Sequence, residues 1–219
     1  MSEHFHKELD EMREDLLEQG KRVEEQITGA IEAMLNRDEE RAKEVIDSDR
    51  EIDEAEIEIE EECLKLLALY QPIASDLRFL MSALKINNDL ERIADLASNI
   101  CERVIYISSH NKLHTRERFE DMTKRVQEMI RTSLSALIER DEEKAWTVRD
   151  MDDEVDRQHE EMFKFLTDEI KKNSDVTEVA IQNLSASRYL ERIADHATNI
   201  AEDVIYMERG EIVRHQSSD

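Results

Sequence analysis

The chain has 219 residues and contains only three glycines and one proline, while 39% of its residues are charged and 39% are hydrophobic. So few helix-breaking residues, with so much Glu, Lys, Arg, Leu and Ala, predict an all-α protein and exclude a β-rich one. The formal net charge of −25 repels phosphate backbones and anionic bilayers, so we expect no nucleic-acid partner and no direct membrane insertion.

The first half of the chain predicts three long helices. Apolar residues recur at helical spacing over 9–34 and form the first helix. A polar break at 36–38 separates it from the second, for which Asp38 is a suitable N-cap. The second helix ends at the turn 70–72, where Pro72 can start the third helix.

The second half repeats this plan. KRVEEQITGAIEAMLNRDEERA at 21–42 aligns with KRVQEMIRTSLSALIERDEEKA at 124–145, and about half of the positions are identical, which marks a tandem repeat. The linker between the two copies is expected at 107–114, and Asp175 with Glu178 resembles a capping box. The helices expected in the second copy run approximately over 113–140, 142–171 and 175–209.

We therefore predict two domains of one design, residues 1–108 and 109–219. Each is expected to be an elongated three-helix bundle of a plausible domain size. The predicted fold class is all-α, with two tandem three-helix bundles packed side by side in pseudo-twofold symmetry.

One phrase recurs with its polar residues intact, as LERIADLASNI at 90–100 and LERIADHATNI at 190–200. Its glutamate and aspartate are four residues apart, so they lie on one face of a helix. A second pair of acids with the same spacing lies on the preceding helix, which must run antiparallel. Counting back from the connecting turn brings the two pairs to the same height in both halves of the chain.

Four carboxylates at one height repel one another and raise one another's pKa unless a cation lies between them. Clusters of carboxylate oxygens are how proteins hold hard cations such as iron, manganese, magnesium or calcium. The predicted metal ligands are Asp49, Asp53, Glu91, Asp95, Asp152, Asp156, Glu191 and Asp195. The predicted accessory positions are Asn99, Glu102, Asn199 and Glu202.

An acidic row is also the usual pattern of a solvated helix face, and Arg92 and Arg192 could neutralise part of it through surface salt bridges. His159 follows Asp156 by three positions and is either an accessory ligand or a partly exposed helix residue. His196 stands where the first copy has a leucine, so it is not expected to belong to a shared site. Structural zinc sites favour cysteine and histidine, and no such cluster occurs here.

Catalytic motifs are missing from the sequence: it has no G-x-S-x-G elbow, P-loop or dinucleotide fingerprint. Cys63 and Cys101 stand among apolar residues and fit a reducing compartment. The first residues are charged, unlike a signal peptide. These features favour a cytoplasmic protein that is not an enzyme.

Two stretches carry a resemblance to a known family. LLALYQPIASDLRFLMSALKINNDLERIADLASNI at 66–100 and YLERIADHATNIAEDVIYMERG at 189–210 closely resemble the PhoU family of phosphate-signalling regulators. The likeness extends over essentially the whole chain, including the duplication. Many relatives have glycine where this chain has Ala94 and Ala194, which should matter little for ligands.

The resemblance implies two three-helix bundles with multinuclear metal clusters on paired acidic motifs. The metal it implies is mainly iron, with zinc or no metal in some members; manganese and magnesium are further alternatives here. It also implies negative regulation of the phosphate-starvation response through a PhoR-type sensor histidine kinase and the PstB-type ATPase of the phosphate transporter. We further expect a homodimer or a higher homo-oligomer.

Two other functions remain open from the residues alone. One is a helical adaptor whose acidic rows are only solvated faces. The other is a carboxylate-bridged metalloenzyme, which would need an open coordination position and redox turnover. Metal analysis separates the three hypotheses.

Overall fold

The computed structural model describes residues 3–110 and 112–213. Within them the chain forms six long α-helices and one short 3-10 turn, and no strand. The helices are α1 (Glu3–Asn36), α2 (Glu39–Tyr70), α3 (Ala74–Ser108), α4 (Arg116–Glu139), α5 (Glu142–Lys172) and α6 (Thr177–Arg209). The all-α prediction is confirmed, and Asn111 of the predicted linker lies outside the described residues.

The break between the first two helices is built in the same way in both repeats. Arg37 and Arg140 adopt left-handed backbone conformations, with φ of 56° and 54°. The next residue is an aspartate, Asp38 or Asp141, whose carboxylate accepts the backbone N–H three residues later at 3.0 and 3.1 Å. Each carboxylate satisfies an N–H group that the first turn of a helix leaves unpaired. The N-cap predicted at Asp38 is confirmed.

The connection between α5 and α6 differs from the predicted capping box. Asp175 lies inside the 3-10 turn Ser174–Val176, and Asn173 accepts its backbone N–H at 3.0 Å. Helix α6 then follows Val176, which makes no side-chain cap hydrogen bond. The capping-box prediction was wrong because the asparagine caps the chain two residues earlier than expected.

Helices α3 and α6 pack against each other in antiparallel orientation and join the two bundles. The hydroxyl of Ser82 contacts the carbonyl of Asp203 at 3.4 Å, and the equivalent pair, Arg103 and Gln182, contacts at 3.3 Å. Exchanging the two repeats turns one of these contacts into the other. Two three-helix bundles with pseudo-twofold symmetry, as predicted, therefore meet along this pair of helices.

The apolar stripe of the repeated phrase lies in the core, where Leu90, Ile93, Leu190 and Ile193 are fully buried. The two cysteines are buried as well, and burial raises the pKa of each thiol to about 12. Thiols of this kind behave as small apolar residues. None of the helices among the described residues is both long and apolar enough to cross a bilayer.

Candidate functional site

The first acidic cluster lies where α2 and α3 run side by side. The side-chain amide of Asn87 donates a hydrogen bond to the backbone carbonyl of Glu56 at 2.8 Å, which sets the relative height of the two helices. That register is the one predicted by counting back from the turn. It places Asp53 close enough to Asp49 and Asp95 for them to raise its pKa, after the larger effect of burial.

Glu91 completes the first cluster. Burial raises its pKa, and repulsion from Asp95 and from Asp53 across the helix pair raises it further. Its Oε2 atom is buried and makes no hydrogen bond, although Nε of Arg92 lies 3.5 Å away. The four predicted ligands of the first repeat therefore share one electrostatic environment.

The second cluster, on α5 and α6, contains the predicted ligand whose pKa is raised most, Asp152. Burial, followed by repulsion from Asp195 and Asp156, raises the pKa of Asp152 to about 7 from its usual 3.8. Burial also raises the pKa of Glu191 and of Asp195, and neighbouring carboxylates add to it. Arg188 forms an ion pair with one oxygen of Glu191, while the other oxygen is buried without a hydrogen bond.

The donor chemistry of both clusters fits a hard cation. All eight predicted ligands are carboxylates, and each cluster holds a buried glutamate oxygen with no hydrogen bond. In their present orientations, however, no three His, Cys, Asp or Glu side chains of residues 3–110 and 112–213 are grouped so that they could hold a metal ion. Metal binding therefore requires the carboxylates to turn towards one another by side-chain rotation.

The accessory residues of the first repeat lie beside the cluster and face in different directions. Asn99 is half-buried, and its amide donates to the backbone carbonyl of Asp95 at 2.7 Å. Glu102 is exposed and forms an ion pair with Arg103 at 2.6 Å. Asn99 thus supports the backbone at a predicted ligand, whereas Glu102 interacts with a neighbouring arginine.

The accessory residues of the second repeat contact other parts of the molecule. Asn199 donates to Asp89 of the first repeat at 3.3 Å. Glu202 forms an ion pair with Arg149 at 3.4 Å, and both side chains are largely buried. These contacts fix α6 against its neighbours.

The structure also reveals a buried polar residue at the first cluster that was not predicted. Gln26 of α1 is only 5% exposed, and its amide nitrogen lies 2.7 Å from Oδ1 of Asp49 and 3.1 Å from the hydroxyl of Ser98. A sequence signal exists, because Gln26 stands next to Ile27 in the apolar stripe of α1, where a hydrophobic residue is expected.

The histidines of α5 and α6, His159 and His196, are half-buried and hydrogen-bonded. Nδ1 of His159 lies 2.5 Å from the hydroxyl of Ser187, and burial lowers the pKa of the imidazole. Nδ1 of His196 lies 2.7 Å from Oδ1 of Asp89, on the opposite repeat. His196 therefore joins the two bundles.

The pKa of Asp152 leads to a pH-dependent prediction for protein kept metal-free with a chelator. Because the folded-state pKa is raised, this carboxyl stabilises the fold below about pH 4 and loses that contribution as the pH rises through about 7. Asp152→Asn cannot ionise and is expected to raise the free energy of unfolding by about 2 kcal/mol at pH 8, with little gain at pH 4. Urea unfolding at the two pH values measures this.

The control is Asp153→Asn, which removes the same charge from an exposed neighbour. Equal effects of the two substitutions at pH 8 would contradict the burial of an ionised Asp152.

Comparison with known proteins supplies the wider context. A family model described as "PhoU domain" matches the chain twice, over residues 16–104 and 119–204. The "Phosphate-specific transport system accessory protein PhoU homolog" of Aquifex aeolicus is 39% identical over 210 residues, covering 96% of this chain and 95% of that protein. The PhoU homolog 1 of Thermotoga maritima, named in the same way, is 33% identical over 208 residues, covering 94% and 90%.

The fold is similar to a solved structure as well. The crystal structure of PhoU from Pseudomonas aeruginosa superimposes with a TM-score of 0.92 at 36% sequence identity, covering 94% of this chain and all of that one. The similarity therefore includes both repeats and their mutual arrangement.

Proposed function

Because the chain belongs to the PhoU family, we propose that it is an accessory protein of a phosphate-specific transport system. In this role it keeps the phosphate-starvation response switched off while phosphate is plentiful and adjusts high-affinity phosphate uptake. The names of its relatives support the transport role, and the match over both repeats supports carrying that role to the whole chain.

The proposed mode of action is protein–protein interaction without catalysis. The partners are a PhoR-type sensor histidine kinase and a PstB-type transporter ATPase, with a homodimer or higher homo-oligomer as the acting form. A transporter ATPase uses ATP, which is cytoplasmic, so the proposed compartment is the cytoplasm. The charge of −25 supports basic protein surfaces as contact sites and disfavours nucleic acid.

The single observation that supports a bound metal is the pair of carboxylate clusters at one height in both repeats, each with raised pKa values. The proposed ligands are Asp49, Asp53, Glu91 and Asp95 in the first repeat, and Asp152, Asp156, Glu191 and Asp195 in the second. Iron is the proposed metal, with zinc, manganese or magnesium as alternatives. A bound cation would cancel the repulsion between the acids and attract phosphate or a partner's carboxylates. The chain's own residues partly bury five of these acids, whereas Asp53, Asp156 and Asp195 are exposed.

The regulatory role is tested by deleting the gene in its own host. Phosphate-starvation genes are expected to be expressed in phosphate-rich medium after deletion and to be silent again when the intact gene is restored. Starvation genes that stay silent in the deletion strain would refute the proposal.

A helical adaptor without metal is the second candidate, favoured by the present side-chain orientations, which gather no three ligands among the described residues. It makes the same prediction for gene deletion. The two candidates differ in the metal content of the purified protein, which decides between them.

A further inference from the structure

A buried hydrogen-bond network joins three helices at the first acidic cluster. Its centre is Gln26 on α1, whose amide nitrogen contacts Asp49 of α2 and Ser98 of α3 at 2.7 and 3.1 Å. The amide oxygen of Gln26 is buried and makes no hydrogen bond. The network therefore fixes the orientation of one predicted ligand from a helix that supplies no ligand itself.

At the aligned positions of the second repeat, which the structure describes, there is no equivalent of this network. The alignment of the repeats places Met129 at the position of Gln26, Asp152 at that of Asp49 and Thr198 at that of Ser98. Met129 is fully buried and has no N–H group to donate. The hydroxyl of Thr198 is buried and makes no hydrogen bond, whereas the equivalent hydroxyl of Ser98 contacts Gln26. The two clusters contain the same acids but differ in the neighbouring side chains that can hydrogen-bond to them.

A carboxylate that must bind a cation gains when an outer hydrogen bond holds it in place, and loss of such a partner typically costs 10–100-fold in metal affinity. We propose that Gln26 is a positioning residue that orients Asp49 towards a bound cation, and that the two clusters are therefore inequivalent cation sites. This inference rests on the proposed metal binding and goes beyond it, because it assigns a role to a residue outside the acidic motifs.

The test measures Mn²⁺ binding to the full chain by calorimetry and by electron paramagnetic resonance. Asp152→Asn with Asp156→Asn provides the parent, in which only the first cluster is intact. Adding Gln26→Met, which copies the residue of the second repeat, is expected to weaken Mn²⁺ binding about tenfold and to change the spectrum of the bound ion.

Gln19→Met is the matched control. Gln19 is another buried glutamine of α1, but its amide donates to the backbone carbonyl of Ile52 at 2.8 Å rather than to a carboxylate. It is expected to leave Mn²⁺ affinity and spectrum unchanged. Thermal unfolding followed by circular dichroism establishes that both variants fold.

The reciprocal substitution examines the second cluster. In a chain with Asp49→Asn and Asp53→Asn, M129Q is expected to tighten Mn²⁺ binding. Parental affinity in the Gln26→Met variant, or an equal loss in the Gln19→Met control, would overturn the positioning role alone. Failure of both the wild-type chain and the parent to bind Mn²⁺ would overturn the proposed metal binding and this inference with it.

Discussion

Replacing Asp49 and Asp152 by alanine in one chain is expected to abolish metal retention in both repeats. Each substitution removes a predicted ligand from the helix that faces the repeated phrase. Removing a ligand should cost more than removing its outer hydrogen-bond partner, so we expect a loss of roughly 100-fold or more in affinity. Elemental analysis of protein purified without an affinity tag, after aerobic incubation with iron and manganese, measures the effect.

The control for charge is the pair Asp47→Ala and Asp150→Ala. These two aspartates occupy equivalent positions in the repeats, two residues before the predicted ligands, and both are exposed. The control variant carries the same net charge and is expected to retain metal. A wild-type chain without metal would favour the adaptor, whereas metal retained by the Asp49/Asp152 variant would show that the ligands are assigned wrongly.

Leu90→Ala is expected to lower the free energy of unfolding by about 3–4 kcal/mol. Leu90 is fully buried on α3, a helix that packs against α1, α2 and α6, so its truncation leaves a cavity that several helices enclose. Urea unfolding followed by circular dichroism measures the change.

Leu64→Ala makes the same chemical change at a leucine that is 52% exposed. It is expected to change the free energy of unfolding by about 0.5 kcal/mol or less. Similar losses at the two positions would contradict the assignment of α3 to the centre of the molecule.

The fold and the height of the acids follow from the sequence because both depend on backbone geometry. Helical rise is constant, so counting from the turn places Asp53 near residue 90 and Asp49 near residue 94 without any knowledge of side-chain packing. Duplication adds an internal control, since the same count in the second repeat places Asp156 level with Glu191 and Asp152 level with Asp195. Burial raises the pKa values of Asp53 and Asp195, and the carboxylates brought close across each helix pair raise them further.

The cap of the last connection, the contacts between the bundles and the rotamers of the acids depend on side-chain packing, which the periodicity of the sequence does not encode. A cap was predicted at Asp175, but Asn173 caps the last connection instead, and because both residue types cap well, local geometry decides between them. Asp89 and His196 are about a hundred residues apart in sequence, so their pairing depends on how the two bundles meet. The side-chain rotamers of the acids are also set by local packing. The spacing of the residues therefore cannot predict whether three carboxylates converge on one point.

The antiparallel contact between α3 and α6 has a consequence for how the chain folds. Arg78 donates a hydrogen bond to the carbonyl of Met207, 129 positions away, at 3.3 Å. A contact between residues so far apart forms only after a long loop has closed. The entropy lost on closure slows folding relative to a bundle held together by local contacts. Each repeat can form its own pairs of antiparallel helices early, but the interface between α3 and α6 forms only when both repeats are folded. We therefore expect the two repeats to unfold together, as one cooperative unit.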